Sequence, residues 1–163
     1  MERIDKILQH ELYKEYVGKI ELAERDREFC KHDMVHFLDV CRLAMILYLK
    51  EQADAKDIKE EWIYAAGLLH DIGRWQEYEE GIRHEVASSQ LAPAILRGCD
   101  FSEVEIEKIC TAIGNHRNKD IKDQSSLSGL LYRADKMSRP CFSCKAEKKC
   151  NWDKNKKNLQ IQY

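Results

Sequence analysis

Apolar residues recur along this chain at helical spacing almost from end to end. Ile4, Ile7, Leu8, Leu12 and Tyr16 mark one face of a first helix, and a charged stretch from Glu21 to Glu28 follows. Asp33 is placed to cap a second helix, in which Phe37, Leu38, Cys41, Ala44, Met45 and Tyr48 form a wide buried stripe. Trp62, Ala65, Ala66 and Leu69 predict a third helix, with Gly73 as its stop. His84 opens a further helical segment through Leu91, and Pro93 predicts a kink or a new turn. Ser102 and Glu105 are spaced as a capping box for a helix carrying Ile106, Ile109, Cys110 and Ile113, which ends near Gly114 to His116. Ser126 to Met137 reads as the last helix, with Leu127, Leu130, Leu131 and Ala134 inward.

No strand hairpin, repeat or low-complexity tract interrupts this pattern. The expectation is an all-α, single globular helical bundle over residues 1–140. After Pro140 the chain turns rich in Lys and Cys, and residues 141–163 read as a short irregular extension packed on the bundle. With 163 residues there is room for one domain with a real core.

Charge and composition remove several classes. The formal net charge is -2, which argues against nonspecific nucleic-acid binding. The N-terminus is charged from residue 2 and carries no signal-peptide core, and the longest apolar run, Leu43 to Leu49, is far short of a bilayer span. A cytoplasmic protein without membrane contact is expected. The seven cysteines of such a chain read as thiols or metal ligands rather than a disulfide framework.

The chemistry lies at the helix ends. His36, His70, Asp71, His84, His116 and Asp135 fall at or near them, in the order H, HD, H, H, D. Any one of these could be a cap or a satisfied core residue. Imidazole and carboxylate together suit Fe, Mn, Co, Ni or Zn. A shared carboxylate can bridge two such metals about 3.5–4 Å apart, which clamp a phosphate ester for in-line attack. His10 reads as a surface residue; His32 could border the pocket, but reads first as part of a solvated turn.

The segments HDMVHFLDVCRLA, GLLHDIGRW, RHEVASSQLA, IGNHRN and LLYRADKMSR, spanning roughly residues 30–140, resemble the HD-domain superfamily of metal-dependent phosphohydrolases. The resemblance implies that His36, His70, Asp71 and Asp135 bind a first metal, that Asp71 bridges, and that His84 and His116 complete a second metal site. It implies two divalent transition metals per chain and a small phosphorylated substrate, a phosphate ester or nucleotide. Asp71 and Arg74 would be the catalytic pair. The HD-GYP phosphodiesterase branch has a lysine at the position of Arg74, which makes Arg74 the first phosphate ligand, ahead of Arg83 and Arg117. Lys119 and Lys136 also adjoin ligands but read as surface lysines. This chain lacks the paired histidines and GYP segment of that branch. It also lacks the glutamate that HD-type 5'-nucleotidases carry where Arg74 stands. The same ligand order occurs in mixed-valent di-iron oxygenases on this scaffold. A regulatory module with a vestigial site is a third reading, set back by the intact ligand set.

Cys141, Cys144 and Cys150 form C-x2-C-x5-C. The first pair has zinc-knuckle spacing, and an iron–sulfur site is the alternative. A fourth ligand would have to come from Cys30, His32, Cys99 or a second subunit, and free thiols are the other reading. Cys41 and Cys110 read as core. Lys145, Lys148, Lys149, Lys154, Lys156 and Lys157 make the tail basic, as a solvated surface or an attractor of anions.

Overall fold

A computed structural model describes residues 1–51 and 57–162. Its α-helices run in the order α1 (Glu2–Gln9), α2 (Glu11–Ala23), α3 (Met34–Lys50), α4 (Glu60–Leu69), α5 (Arg74–Glu80), α6 (His84–Gly98), α7 (Glu103–Asn115) and α8 (Leu127–Met137). No strand occurs among the described residues. The all-α expectation holds.

The centre of the bundle is α4. Trp62, Ile63 and every residue from Ala65 to Leu69 are buried, so this helix is enclosed on nearly all sides. It packs on α3, α7 and α8, and α1 closes over it. Phe37, Val40, Cys41 and Ala44 of α3 meet it from one side; Ile106, Ile109 and Ile113 of α7 from another. Each fully buried side chain of this size contributes about 1.5–3 kcal/mol. The α3–α4 approach is close because α4 carries Gly67 there: a Cβ at that position would sit 2.5 Å from Cys41 Sγ. Cys41 is core, as its stripe predicts. Cys110 is only half-buried.

Local signals explain most boundaries. Asp33 accepts from His36 N at 3.0 Å and starts α3. Ser102 and Glu105 form the reciprocal capping box of α7. Glu105 then binds the N-terminal helix to the bundle: it accepts from Arg3 Nη1 at 2.9 Å, Lys59 Nζ at 3.1 Å and Trp62 Nε1 at 3.0 Å.

Three local expectations change. The first helix is two. His10 is extended (ψ 132°), and its Nδ1 accepts from Leu12 N to cap α2. His10 is half-buried rather than a free surface residue, with Gly98 directly against its ring. Gly73 does not end the helical region; it caps α5, which follows a single turn through His70 to Gly73. Pro93 lies inside α6 without ending it.

Beyond α8 the chain forms short 3-10 turns at Cys141–Ser143, Glu147–Lys149 and Lys154–Lys156. Asn158 fastens this extension: its Nδ2 donates to the carbonyls of Lys136, Met137 and Arg139 at 2.7, 3.1 and 3.0 Å. Lys157, half-buried, pairs with Glu147 at 2.9 Å, and Lys149 reaches Glu28 at 2.6 Å. Tyr163, the last residue of the expected extension, lies outside the described residues. No helix among the described residues is long and apolar enough to cross a membrane.

Candidate metal centre

The ends of α3, α4, α6, α7 and α8 converge on one point. His36 comes from the first turn of α3, His70 and Asp71 from the turn after α4, His84 from the first position of α6, His116 from the end of α7 and Asp135 from α8. All six side chains are buried. The apolar half of GLLHDIGRW sits in the core and so fixes where His70 and Asp71 point. The turn itself is pressed against α6, where Gly73 N donates to Ser88 Oγ at 2.9 Å. A Cβ on Gly73 would lie 2.4 Å from Ser88 N, so only glycine fits.

Asp71 is the hub. Its Oδ2 lies 3.4 Å from His70 Nε2 and 3.7 Å from His36 Nε2. Its Oδ1 lies 3.3 Å from His84 Nε2 and 3.7 Å from His116 Nε2. The two oxygens thus face two different pairs of imidazoles. Asp135 Oδ1 joins the first pair, at 3.6 Å from His36 Nε2 and 3.9 Å from His70 Nε2. Ligand atoms of His36, His70 and Asp71, and separately of Asp71, His84 and His116, lie within 4.8 Å of one another.

The ring orientations are set from behind. His70 Nδ1 donates to Gly67 O at 2.8 Å and His116 Nδ1 to Ile113 O at 2.7 Å. His84 Nδ1 is bonded to Glu77. Ser138 Oγ donates to Asp135 O at 2.8 Å and so accepts from His36 Nδ1 at 3.1 Å. With each Nδ1 carrying the proton, each Nε2 turns a lone pair inward. Such outer hydrogen bonds are how proteins fix metal-binding histidines.

Electrostatics keep these donors ready. Burial pushes the imidazoles of His36 and His116 down to about 4 and that of His84 to about 2, so all three are neutral at neutral pH. For His70, burial is outweighed by Asp71 and Asp135, which raise it. Burial alone would raise the Asp71 carboxyl, but Arg74, His70 and His32 hold it well below the usual carboxylate range. Lys136 and Arg139 do the same for Asp135 against its burial.

The donor set fits divalent transition metals. His70 Nε2 and Asp71 Oδ1 are buried polar atoms with no hydrogen-bond partner, an arrangement that costs about 1–3 kcal/mol per group unless a ligand satisfies it. The spacings of 3.3–3.7 Å around Asp71 are those of atoms sharing a cation bound at about 2.0–2.2 Å from each. Nitrogen and carboxylate oxygen together match Fe, Mn, Co, Ni or Zn.

A cavity of about 440 Å³ opens onto the centre, and Arg27, Arg74, Arg117, Lys136 and Arg139 line it. Arg74 places Nε 3.7 Å from Asp71 Oδ2 and Nη1 3.0 Å from Glu77 Oε2. Arg83 is a correction: it is exposed, pairs with Glu85 and is not part of this wall. Lys136, which reads as a surface residue, contacts Asp135 and lines the cavity; Lys119 is exposed.

The sequence did not single out Arg139 or Glu77, and it ranked a solvated turn ahead of the pocket border for His32. Arg139 is buried and donates to His36 Nε2 at 3.1 Å. Glu77 orients His84 and Arg74. His32 is not in a solvated turn: it is buried and reaches Asp71. The spacing of Arg139, four residues after Asp135 on the α8 end, was the one local signal available.

The tail cysteines are not assembled as a metal site. Cys141 is buried, Cys144 and Cys150 are half-buried, and all are free thiols. No group of three close ligand atoms among the described residues includes a cysteine. Of the candidate fourth ligands, Cys30 shares a cavity with Cys141 and Cys144, Cys99 lies in the core, and His32 faces Asp71.

The HD domain model matches residues 34–139. The chain belongs to the HD-domain family. This is a superfamily of metal-dependent phosphohydrolases, and the buried His/Asp cluster is compatible with its metal site. An uncharacterized protein of Clostridium beijerinckii is 41% identical over the whole length of both chains. No solved structure matches the chain.

Proposed function

We propose that this HD domain is a dinuclear, metal-dependent hydrolase of a small phosphate ester or nucleotide. The supporting observation is a single carboxylate, Asp71, that presents one oxygen to His36 and His70 and the other to His84 and His116, next to a cavity lined by His84, Asp135 and several cations. His36, His70, Asp71 and Asp135 would hold one metal; Asp71, His84 and His116 the other. Bound divalent metals supply a water acidified toward neutral pH and Lewis-acid stabilisation of a phosphoryl group.

The protein's own residues do the rest. Asp71 is held ionised by Arg74, His70 and His32 despite its burial, so it would offer both oxygens to metal as a carboxylate. Glu77 fixes the His84 ring and the Arg74 guanidinium together. Arg74 and Arg117 bring positive charge to the cavity, where the non-bridging oxygens of a phosphate need it. The wall also contains Lys136 and Arg139, and a dianionic phosphate suits it better than a neutral ligand.

The test is turnover of p-nitrophenyl phosphate, its bis ester and a nucleotide panel, by protein loaded anaerobically with Mn, Ni, Co, Zn or Fe. Phosphate release that vanishes in Asp71→Ala and falls at least tenfold in Arg74→Ala supports the reading. Oxygen-dependent activity restricted to iron, without hydrolysis, would replace it with a di-iron oxygenase. No metal uptake and no turnover would leave a binding module.

A further inference from the structure

The geometry points to His32 as a seventh donor of the metal centre, held in place by Glu24. The inference rests on the metal-centre reading but not on the reaction assigned to it.

His32 precedes α3, outside the pattern that marks the other donors. It is nevertheless 3% exposed. Its Nδ1 lies 2.5 Å from Glu24 Oε1, and its backbone N donates to Glu24 Oε2 at 2.7 Å. Tyr78 donates to the same Glu24 at 2.5 Å. Glu24, at the end of α2, is itself buried and spends its acceptors mainly on fixing this one ring. A carboxylate behind an imidazole is the device that Glu77 provides for His84, and it is how metal-binding histidines are oriented in general.

With Nδ1 committed to Glu24, Nε2 is left as a lone pair. It lies 3.7 Å from Asp71 Oδ2, the distance at which His36 Nε2 approaches the same oxygen. A separation of 3.7 Å is too long for a hydrogen bond. It is the spacing of two ligands of one cation. His32 also stands edge-on to His36, with ring centroids 5.6 Å apart, so the imidazoles of His32, His36 and His70 surround Asp71 Oδ2. His32 lines the cavity as well.

The experiment measures metal binding, not turnover. Wild type, His32→Ala, His32→Gln and Glu24→Gln are stripped, checked for fold by circular dichroism, and titrated with Co(II) against a competing chelator while the d–d absorption is recorded. The expected result is two Co(II) per wild-type chain. In the His32 variants one of the two should bind at least tenfold more weakly with an altered d–d band, and Glu24→Gln should show a smaller change of the same kind. Folded His32 variants that bind both ions with wild-type affinity and an unchanged spectrum would overturn the inference and leave the metal centre standing. A wild type that binds no Co(II) would overturn both. Should His32→Ala fail to fold, His32→Gln and Glu24→Gln decide the matter by the same readout.

Discussion

His84 Nε2 and His116 Nε2 face one another at 3.3 Å, although the Nδ1 of each ring already has its own partner. Two lone pairs at this distance repel, and both rings are buried too deeply to relieve it by taking up a proton at neutral pH. A cation between them and Asp71 Oδ1 removes the repulsion. We therefore expect metal to stabilise the fold. Adding Mn, Ni or Co to stripped protein should raise Tm by several degrees, since ligand at 100 Kd contributes about 2.7 kcal/mol. His116→Ala should bind one metal fewer by elemental analysis. An unchanged metal count would mean that this half of the centre is structural.

Arg139 donates to His36 Nε2 and stands 3.5 Å from Asp135 Oδ1, so its guanidinium competes for atoms that a metal would take. Arg139→Ala should therefore tighten binding of the metal at His36, His70 and Asp135. The same variant should lower the Tm of stripped protein, because buried Asp135 then loses one of the cations that hold it ionised. Calorimetric titration and thermal melts read the two effects separately. Weaker metal binding in Arg139→Ala would show that the arginine organises the site instead of competing for it.

Gly73→Ala should damage the centre without touching a donor. The added Cβ would meet Ser88 N at 2.4 Å and Ala87 Cβ at 2.6 Å, forcing the His70–Asp71 turn away from α6. Overpacking of this kind costs about 1–3 kcal/mol. Metal affinity should fall together with stability in urea unfolding. Loss of neither would mean that α6 moves freely to accommodate the turn.

Glu105 should carry a pH-dependent part of stability far from the metal. Hydrogen bonds from Arg3 come first in holding its carboxyl well below the usual carboxylate range, against some desolvation, with Trp62, Ser102 and Lys59 adding to them. A depressed carboxylate contributes stability that is present above its unfolded pKa and lost as pH falls toward the folded one. Glu105→Gln should thus cost about 1–3 kcal/mol at neutral pH. The gap between wild type and variant should narrow below about pH 4.5, where the unfolded carboxyl protonates. A gap that stays constant with pH would assign the loss to packing.

The sequence by itself determined the helices and picked out the side chains that the fold gathers into one buried cluster. Both are local signals. A stripe at helical spacing declares its buried face, and a cap such as Asp33 or the Ser102–Glu105 box acts within four residues. The donors His36, His70–Asp71, His84, His116 and Asp135 were legible because they end or interrupt such stripes in a recognisable order. The break at His10 was not, since an extended residue between two amphipathic turns leaves the apolar spacing intact. Gly73 looked like a stop because its real constraint is the approach of α6, fifteen residues away in sequence. Only the tertiary structure decided which charges face the metal centre. Arg83 turns outward to Glu85, whereas Arg139 and Lys136 turn inward to Asp135. The direction of a long side chain depends on partners brought together by packing, and no local pattern records them. His32 is the extreme case: Glu24, Tyr78 and Asp71 together give it its role, and they come from three separate elements of the fold.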